Sequence, residues 1–362
     1  MRLLKQISII VALGCISQSC IKKVDVETRN VAPILVVEGA VTTDTVPYTV
    51  KLTYSGPLGS SENIPDQYLE KNATVTISDD LGNNTTLVYR DQGVYETTDP
   101  AYIGKAGRTY QVTVLLKNGK KYVSIPEKIK APVPVTQVST QFVYKFNFDF
   151  PTYLNIYADA KDPGQEENYY RWTFINWVLR QTKGVSCGFG CIMYEYCYQK
   201  YVDKEVRLLS DAAINGNDIK NQLVGRCYIY SYGNPLIDIA QQSLSREAYQ
   251  FWRAYQDQQS RTGSILDPLP ASIKGNVRNA ADSTDYALGY FSAYSIAHKK
   301  AILLPMSITP YLLEISARQF IPDQSVACFS YFPNTLAYTY TPGMLYKLPP
   351  GWENAEQIKV SW

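Results

Sequence analysis

The sequence predicts an all-β protein, mainly antiparallel, with a β-sandwich in its first part and a second β-rich domain carrying one short helix. Three observations predict it. Short stretches that alternate apolar and polar residues recur through the chain, as half-buried strands require. Turn residues such as Asn118-Gly119 and Asp162-Pro163-Gly164 separate them. Tyrosine, which suits strands and recognition surfaces, counts 30 against 11 phenylalanines.

The elements follow in order. Ile34–Val37 is an apolar run closed by Gly39, and Tyr48–Tyr54 alternates. Ala73–Ser78 puts Val75 and Ile77 on one face, and the turn Asp79–Asn84 leads into Thr85–Tyr89. Gly93–Thr97 is short; Tyr110–Val114 turns at Asn118-Gly119 and returns as Tyr122–Ile125. About seven strands at this spacing make an immunoglobulin-like sandwich over 34–130. The loop Ser55–Asn72 is long enough to be functional or a plain surface insertion. Ala131–Val135 is a stiff, proline-rich connector, so the second domain is expected over 136–362. There, Thr140–Phe150, Tyr153–Tyr157, Asn168–Leu179, Val206–Leu209, Arg226–Tyr232, Leu236–Ser243, Tyr286–Ser295 and Lys300–Leu304 read as strands. Ser245 caps a helix over Arg246–Gln258, with Ala248, Tyr249, Trp252 and Tyr255 along one stripe. The Pro- and Tyr-rich tail from Ile321 is expected to wrap the surface.

The N-terminus reads as an export signal over 1–19 and a tether over 20–33. Arg2 and Lys5 precede the apolar run Ile7–Gly14, which is too short to span a bilayer. Cys15 and Cys20 each follow a small residue, as the lipidated Cys of a bacterial lipoprotein does. Cys20 is preferred, because it stands where polarity begins. Without residues 1–19 the 35 Lys and Arg fall to 33, matching the 33 Asp and Glu. Neutrality argues against nucleic acid as a partner. Membrane attachment is expected through the lipid alone.

The signal-plus-Cys start is followed in order by further stretches. They are Leu35–Gly39, Ala73–Asp79, Gly93–Tyr95, Gly107–Tyr110, Asp162–Gly164, Asn168–Trp172, Ser243–Ser245 with Tyr249, Gly275–Val277 and Leu288–Phe291. Together they resemble the Bacteroidota lipoprotein family called domain of unknown function 4249. The resemblance covers nearly the whole chain and implies an envelope lipoprotein, often encoded beside TonB-dependent outer-membrane receptors. The first domain is also similar to carboxypeptidase-regulatory-like sandwiches. The family brings no catalytic residues to carry over. Lys22-Lys23 follow Cys20 where surface-exported lipoproteins often carry acids, so the resemblance leaves the face of the outer membrane open.

Candidate chemistry is sparse. After an export signal, two disulfides are expected among Cys187, Cys191, Cys197 and Cys227, with three connectivities open and Cys328 left over. Zinc on Cys187, Cys191 and Cys197 is the weaker alternative, because no His is near. The stapled stretch 184–197 presents Phe189, Met193, Tyr194 and Tyr196. It is the expected partner-contact loop, unless it is only a structural corner. His298, the one histidine, sits in a basic turn or strand edge with no nucleophile motif and reads as a surface residue. Asp79-Asp80 and Glu166-Glu167 lie beside turn residues and read as turn acids rather than glycosidase or calcium groups. Asp44-Thr45-Val46 and Asp282-Ser283-Thr284 fit an O-glycan acceptor pattern at Thr45 and Ser283.

The expected function is therefore non-enzymatic, with no cofactor and no metal. The chain is expected to be an outer-membrane accessory protein that binds a receptor partner, a small ligand or a glycan. A structural or assembly component of an outer-membrane complex is the alternative, and a glycan hydrolase the third.

Overall fold

Alternation builds the first eight strands. They are β1 (Leu35–Thr42), β2 (Thr49–Tyr54), β3 (Thr74–Asp79), β4 (Asn84–Tyr89), β5 (Val94–Glu96), β6 (Thr109–Leu115), β7 (Lys121–Ser124) and β8 (Glu127–Lys128). Every second residue turns inward, so Val75 and Ile77 of β3 and Val112 and Val114 of β6 are wholly buried. The computed structural model describes residues 32–56, 64–143, 153–164, 166–181, 185–188, 191–193, 196–228, 234–261, 272–304, 336–338 and 351–360, with the backbone alone for those within 179–197, for 199, 228 and 261, and for 336–338.

The rest of the described chain adds β9 (Val135–Val143), β10 (Tyr153–Lys161), β11 (Tyr169–Gln181), β12 (Val185–Gly188), β13 (Cys191–Met193), β14 (Tyr196–Val202), β15 (Arg207–Ser210), β16 (Asp218–Tyr228) and β17 (Leu236–Leu244). Helix α1 (Arg246–Arg261) follows. The last strands are β18 (Lys274–Asn279), β19 (Tyr286–Leu288), β20 (Phe291–Leu304), β21 (Leu336–Tyr338) and β22 (Glu356–Lys359).

The first layer is a closed barrel, which corrects the expected sandwich over 34–130. Nine strands pair in the ring β1–β2–β5–β4–β3–β6–β7–β18–β19 and back to β1. All steps are antiparallel except β19 to β1, which is parallel. The reason is edge satisfaction. Within residues 34–130, β1 and β7 would each keep an open edge, and the β18–β19 hairpin covers both. Val277 and Ala287 from that hairpin join Val37, Val50, Leu52 and Val114 in one core.

The second layer is the sandwich. The three-stranded sheet β9–β10–β16 packs against a sheet running β11–β17–β20–β22. Leu154 and Ile156 of β10 meet Tyr170, Trp172 and Phe174 of β11 and Ile237 and Ile239 of β17. The proline connector is packed here too: Trp172 Nε1 donates to Gln241 Oε1, and Gln241 Nε2 donates to the Val133 carbonyl, each at 2.9 Å. Strand β20 joins the layers. Its residues Phe291–Tyr294 run parallel to β1, and its far end pairs with β22.

Residues 351–360 are core rather than wrapping; of the rest of the tail from Ile321, all but the strand 336–338 lies outside the described residues. Trp352 is buried against Trp177, ring centroids 5.2 Å apart, and β22 adds Ile358 to the sandwich interior.

Candidate functional site

The seam between barrel and sandwich is where the backbone is most crowded. A Cβ on Gly275 would sit 2.0 Å from the Gly289 carbonyl oxygen, and Gly289, at φ +77°, would bring one within 2.4 Å of the Val37 oxygen. Only glycine allows β1 to pass from β19 to β20 at this spacing. The amide of Asn276 completes the join: Nδ2 donates to the Phe291 carbonyl, and Oδ1 accepts from the Phe291 N–H. Five of the stretches that carry the family resemblance meet here, Leu35–Gly39, Asn168–Trp172, Ser243–Ser245 with Tyr249, Gly275–Val277 and Leu288–Phe291.

Helix α1 lies over this seam. Ser245 Oγ caps it by accepting from the Ala248 N–H at 3.0 Å. Ala248 and Tyr249 pack on Tyr169, Leu244 and Tyr290, as their spacing predicts. Phe251 joins them, while Tyr255 stays exposed. Beside the helix opens a cleft of about 430 Å³, lined by Glu38, Asp44, Thr45, Tyr48, Arg171, Phe251, Trp252, Tyr290 and Tyr294.

Arg171 dominates its chemistry. On β11, Tyr170, Trp172 and Phe174 alternate, Tyr170 and its two partners pointing into the sandwich core. Arg171 therefore points the other way, under α1, where its guanidinium lies over the Trp252 ring at 3.6 Å. Nε has no hydrogen-bond partner, and neither has Trp252 Nε1. Among the described residues the titratable groups that bear on Arg171 are the phenols of Tyr294 and Tyr255, and no carboxylate. Burial pulls the guanidinium below its usual value. The Oε1 of Gln242, directly across the ladder from Arg171, is also buried without a partner. The sequence hint was slight: Arg171 is the one charged residue between Asn168 and Leu179.

His298 is exposed, as the sequence suggested, but both of its ring nitrogens are engaged. Its Nδ1 lies 2.9 Å from Asp238 Oδ1, and its Nε2 lies 2.8 Å from Asp44 Oδ2. The Asp238 hydrogen bond is the largest influence, with Asp44 adding to it, and together they raise the ring's pKa to about 9 against the opposing cost of burial. A ring protonated on both nitrogens cannot act as a general base. It bridges β20 and β17 to the loop after β1.

The acids have structural partners. Asp79 accepts from the backbone N–H groups of Leu81 and Asn83, and both Asp79 and Asp80 pair with Arg108. Glu166 lies 3.3 Å from Lys130. A buried pair not anticipated from the sequence is Asp162 with Asp211. Asp162 accepts from Tyr170 (2.5 Å) and from the N–H groups of Gly216 (2.7 Å) and Gly164 (3.2 Å). Although burial opposes it, these bonds hold Asp162 low. Burial first, and the neighbouring Asp162 charge, raise Asp211. Glu127 is also buried and raised by that burial; the Tyr290 hydroxyl donates to it.

The remaining predicted residues are scattered. Thr45 and Ser283 are exposed, Thr45 at the cleft and Ser283 in a turn where Asp282 accepts from Thr284. Cys227 is buried in the sandwich core near Asn176 Nδ2, 3.5 Å from Sγ, and burial pushes its thiol up to about 12. No disulfide occurs among the described residues. The side chains of Cys187, Cys191, Cys197, Met193 and Tyr196 lie outside them, as do Cys15, Cys20, Phe189, Tyr194 and Cys328 altogether. The backbone of the expected contact loop is a hairpin, β12–β13, in which Gly188 pairs with Cys191 and Cys187 occupies the bulge. No group of metal-binding side chains assembles among the described residues, and no helix there is long and apolar enough to cross a membrane.

Residues 21–300 match the family model described as "Domain of unknown function (DUF4249)". No curated protein matches the chain. Among solved structures it is similar to one titled "Crystal structure of tetra-tandem repeat in extending region of large adhesion protein". That match has 14% identity and a TM-score of 0.16, over 59% of this chain and 46% of the other, too slight to carry an argument.

Proposed function

The chain belongs to the family described as domain of unknown function 4249, and from that premise and the seam cleft we propose that it is a lipid-anchored binding protein of the outer membrane. It acts by contact rather than catalysis, as an accessory to a TonB-dependent receptor. The observation that carries the reading is the cleft itself: aromatic walls around a half-buried guanidinium that no side chain of the described protein neutralises. Sites of this kind hold ligands by apolar burial with a few placed polar groups. The commitment of His298 and of the paired acids to structural bonds favours the same reading.

Attachment is assigned to Cys20, whose acyl chains each add about 0.8 kcal/mol of membrane binding per buried CH2. The stretch 184–197, which includes the hairpin, is the proposed contact element for the receptor, through Phe189, Met193, Tyr194 and Tyr196. A two-stranded hairpin is marginal alone. A disulfide within this stretch would stiffen it, which peptide mapping without reduction would detect. A glycan on Thr45 would stand at the rim of the cleft.

Affinity capture from native outer membranes, followed by mass spectrometry, tests the reading. Wild-type protein should recover a TonB-dependent receptor, and Tyr194→Ala should recover less with an unchanged melt. Recovery of no outer-membrane protein, or equal recovery by Cys20→Ala from the soluble fraction, would overturn it.

A further inference from the structure

We propose that the seam cleft binds a small monocarboxylate with an aromatic or apolar body, held at its carboxylate by Arg171 and along its body by Trp252. This rests on the binding-protein reading above and adds the ligand's chemistry.

A guanidinium removed from water needs an opposite charge or a full set of acceptors. Arg171 has neither among the described residues: its Nε lacks a hydrogen-bond partner and no carboxylate acts on it. The stacking on Trp252 at 3.6 Å uses the face of the group and fixes its plane. The edge, with its fork of N–H donors, is left to bind. That fork matches the two oxygens of a carboxylate. Trp252 lines the same cleft, and its buried Nε1 is a further donor without a partner. Two orphaned donors and one positive charge call for an acidic acceptor, not for a cation or a neutral sugar.

The rim limits how much negative charge can enter. Glu38 and Asp44 line the same cleft, and Asp44 is already bonded to His298. A phosphate dianion would meet two acids for one free guanidinium. A single carboxylate would be balanced by Arg171, and an amino group beside it would find Glu38. Phe251, Tyr290 and Tyr294 supply the apolar wall, and about 430 Å³ accommodates a ligand the size of an amino acid. A free amino acid and the C-terminus of a short peptide share this chemistry.

Calorimetric titration of the full mature chain separates the cases. The probes are 3-phenylpropionate, phenylalanine, the peptide Gly-Gly-Phe, 2-phenylethylamine and inorganic phosphate. The first two should bind, and Arg171→Gln should weaken both at least tenfold. Trp252→Phe, which keeps an aromatic platform but loses the N–H, should weaken them less. Binding of Gly-Gly-Phe as tight as that of phenylalanine would assign the ligand to a peptide end; weaker binding would assign it to a free acid. A thermal melt within a few degrees of wild type qualifies each variant. Should Arg171→Gln fail that check, Trp252→Phe decides alone. Tight binding of 2-phenylethylamine or phosphate, or carboxylate binding unchanged in the variants, would overturn the proposal. If wild type ignores the carboxylates yet still captures a receptor, this inference fails while the contact reading stands. If it does neither, both fail.

Discussion

Both ring nitrogens of His298 face carboxylates, and that fixes how pH acts on the seam. The folded pKa, about 9, is raised above the usual value near 6.5. The bridge therefore contributes its full stability below about pH 6.5 and loses it as pH rises to about 9. Because the ring is partly exposed, that contribution is about 1–2 kcal/mol rather than the larger amount an unscreened shift would give. Denaturant unfolding of wild type and His298→Gln should show a gap at pH 6 that closes by pH 9.5. A gap independent of pH would mean that the ring is neutral. The acid pair makes a second prediction. Asp162 accepts three hydrogen bonds that hold it low, while burial beside that charge raises Asp211. Asp211→Asn keeps an acceptor for the Asn168 N–H and removes a charge beside Asp162, and should cost under about 1 kcal/mol. Asp162→Asn sets an NH2 group against existing donors and should cost about 2–3 kcal/mol by the same unfolding measurement. Neither group was legible in the sequence. The partners of His298 stand 60 and 254 residues away, and one partner of Asp162, the Gly216 N–H, lies on a turn 54 residues on. Arg171 was partly legible. Alternation turned it away from Tyr170 and Trp172, but nothing local told that a helix would cover it.

At the scale of elements, local pattern carried far. The strands with clean alternation and the capped helix stand close to where the sequence put them, because each is decided by its own residues and end signals. Elements decided by partners were missed. Residues 274–279 hold Gly275 and Asn276 in mid-strand, poor strand formers that sit there because the backbones of β18 and β19 approach closely. The tail read as surface because its composition is polar and aromatic, yet Trp352 and Ile358 are buried against β20 and its neighbours. Gly225 gives a test of element packing. A Cβ there would lie 2.1 Å from Phe174 Cγ, in the middle of the sandwich. Gly225→Ala should cost about 2–3 kcal/mol in unfolding free energy. Combined with Phe174→Leu it should cost less than the two separate losses added together. Additive losses would place the ring elsewhere.

At the scale of the whole molecule, the two predicted domains share strands. The barrel takes β18 and β19 from residues 274–288, and β20 continues into the sandwich. A fragment of residues 32–135 should therefore lack a cooperative melt and bind a hydrophobic dye, since β1 and β7 lose their partners. A sharp, two-state transition in that fragment would show that it closes by itself. The same sharing places the cleft. It exists because the barrel's first strand, the covered face of the sandwich sheet and α1 meet at one seam, so ligand binding there would couple all three.

The most direct test of the account is a crystal structure of the chain grown with 3-phenylpropionate. The account predicts the phenyl ring in the cleft beside Trp252 and the carboxylate within about 3.2 Å of the Arg171 guanidinium edge. An empty cleft, with Arg171 turned to the Gln242 amide across the strand, would contradict it.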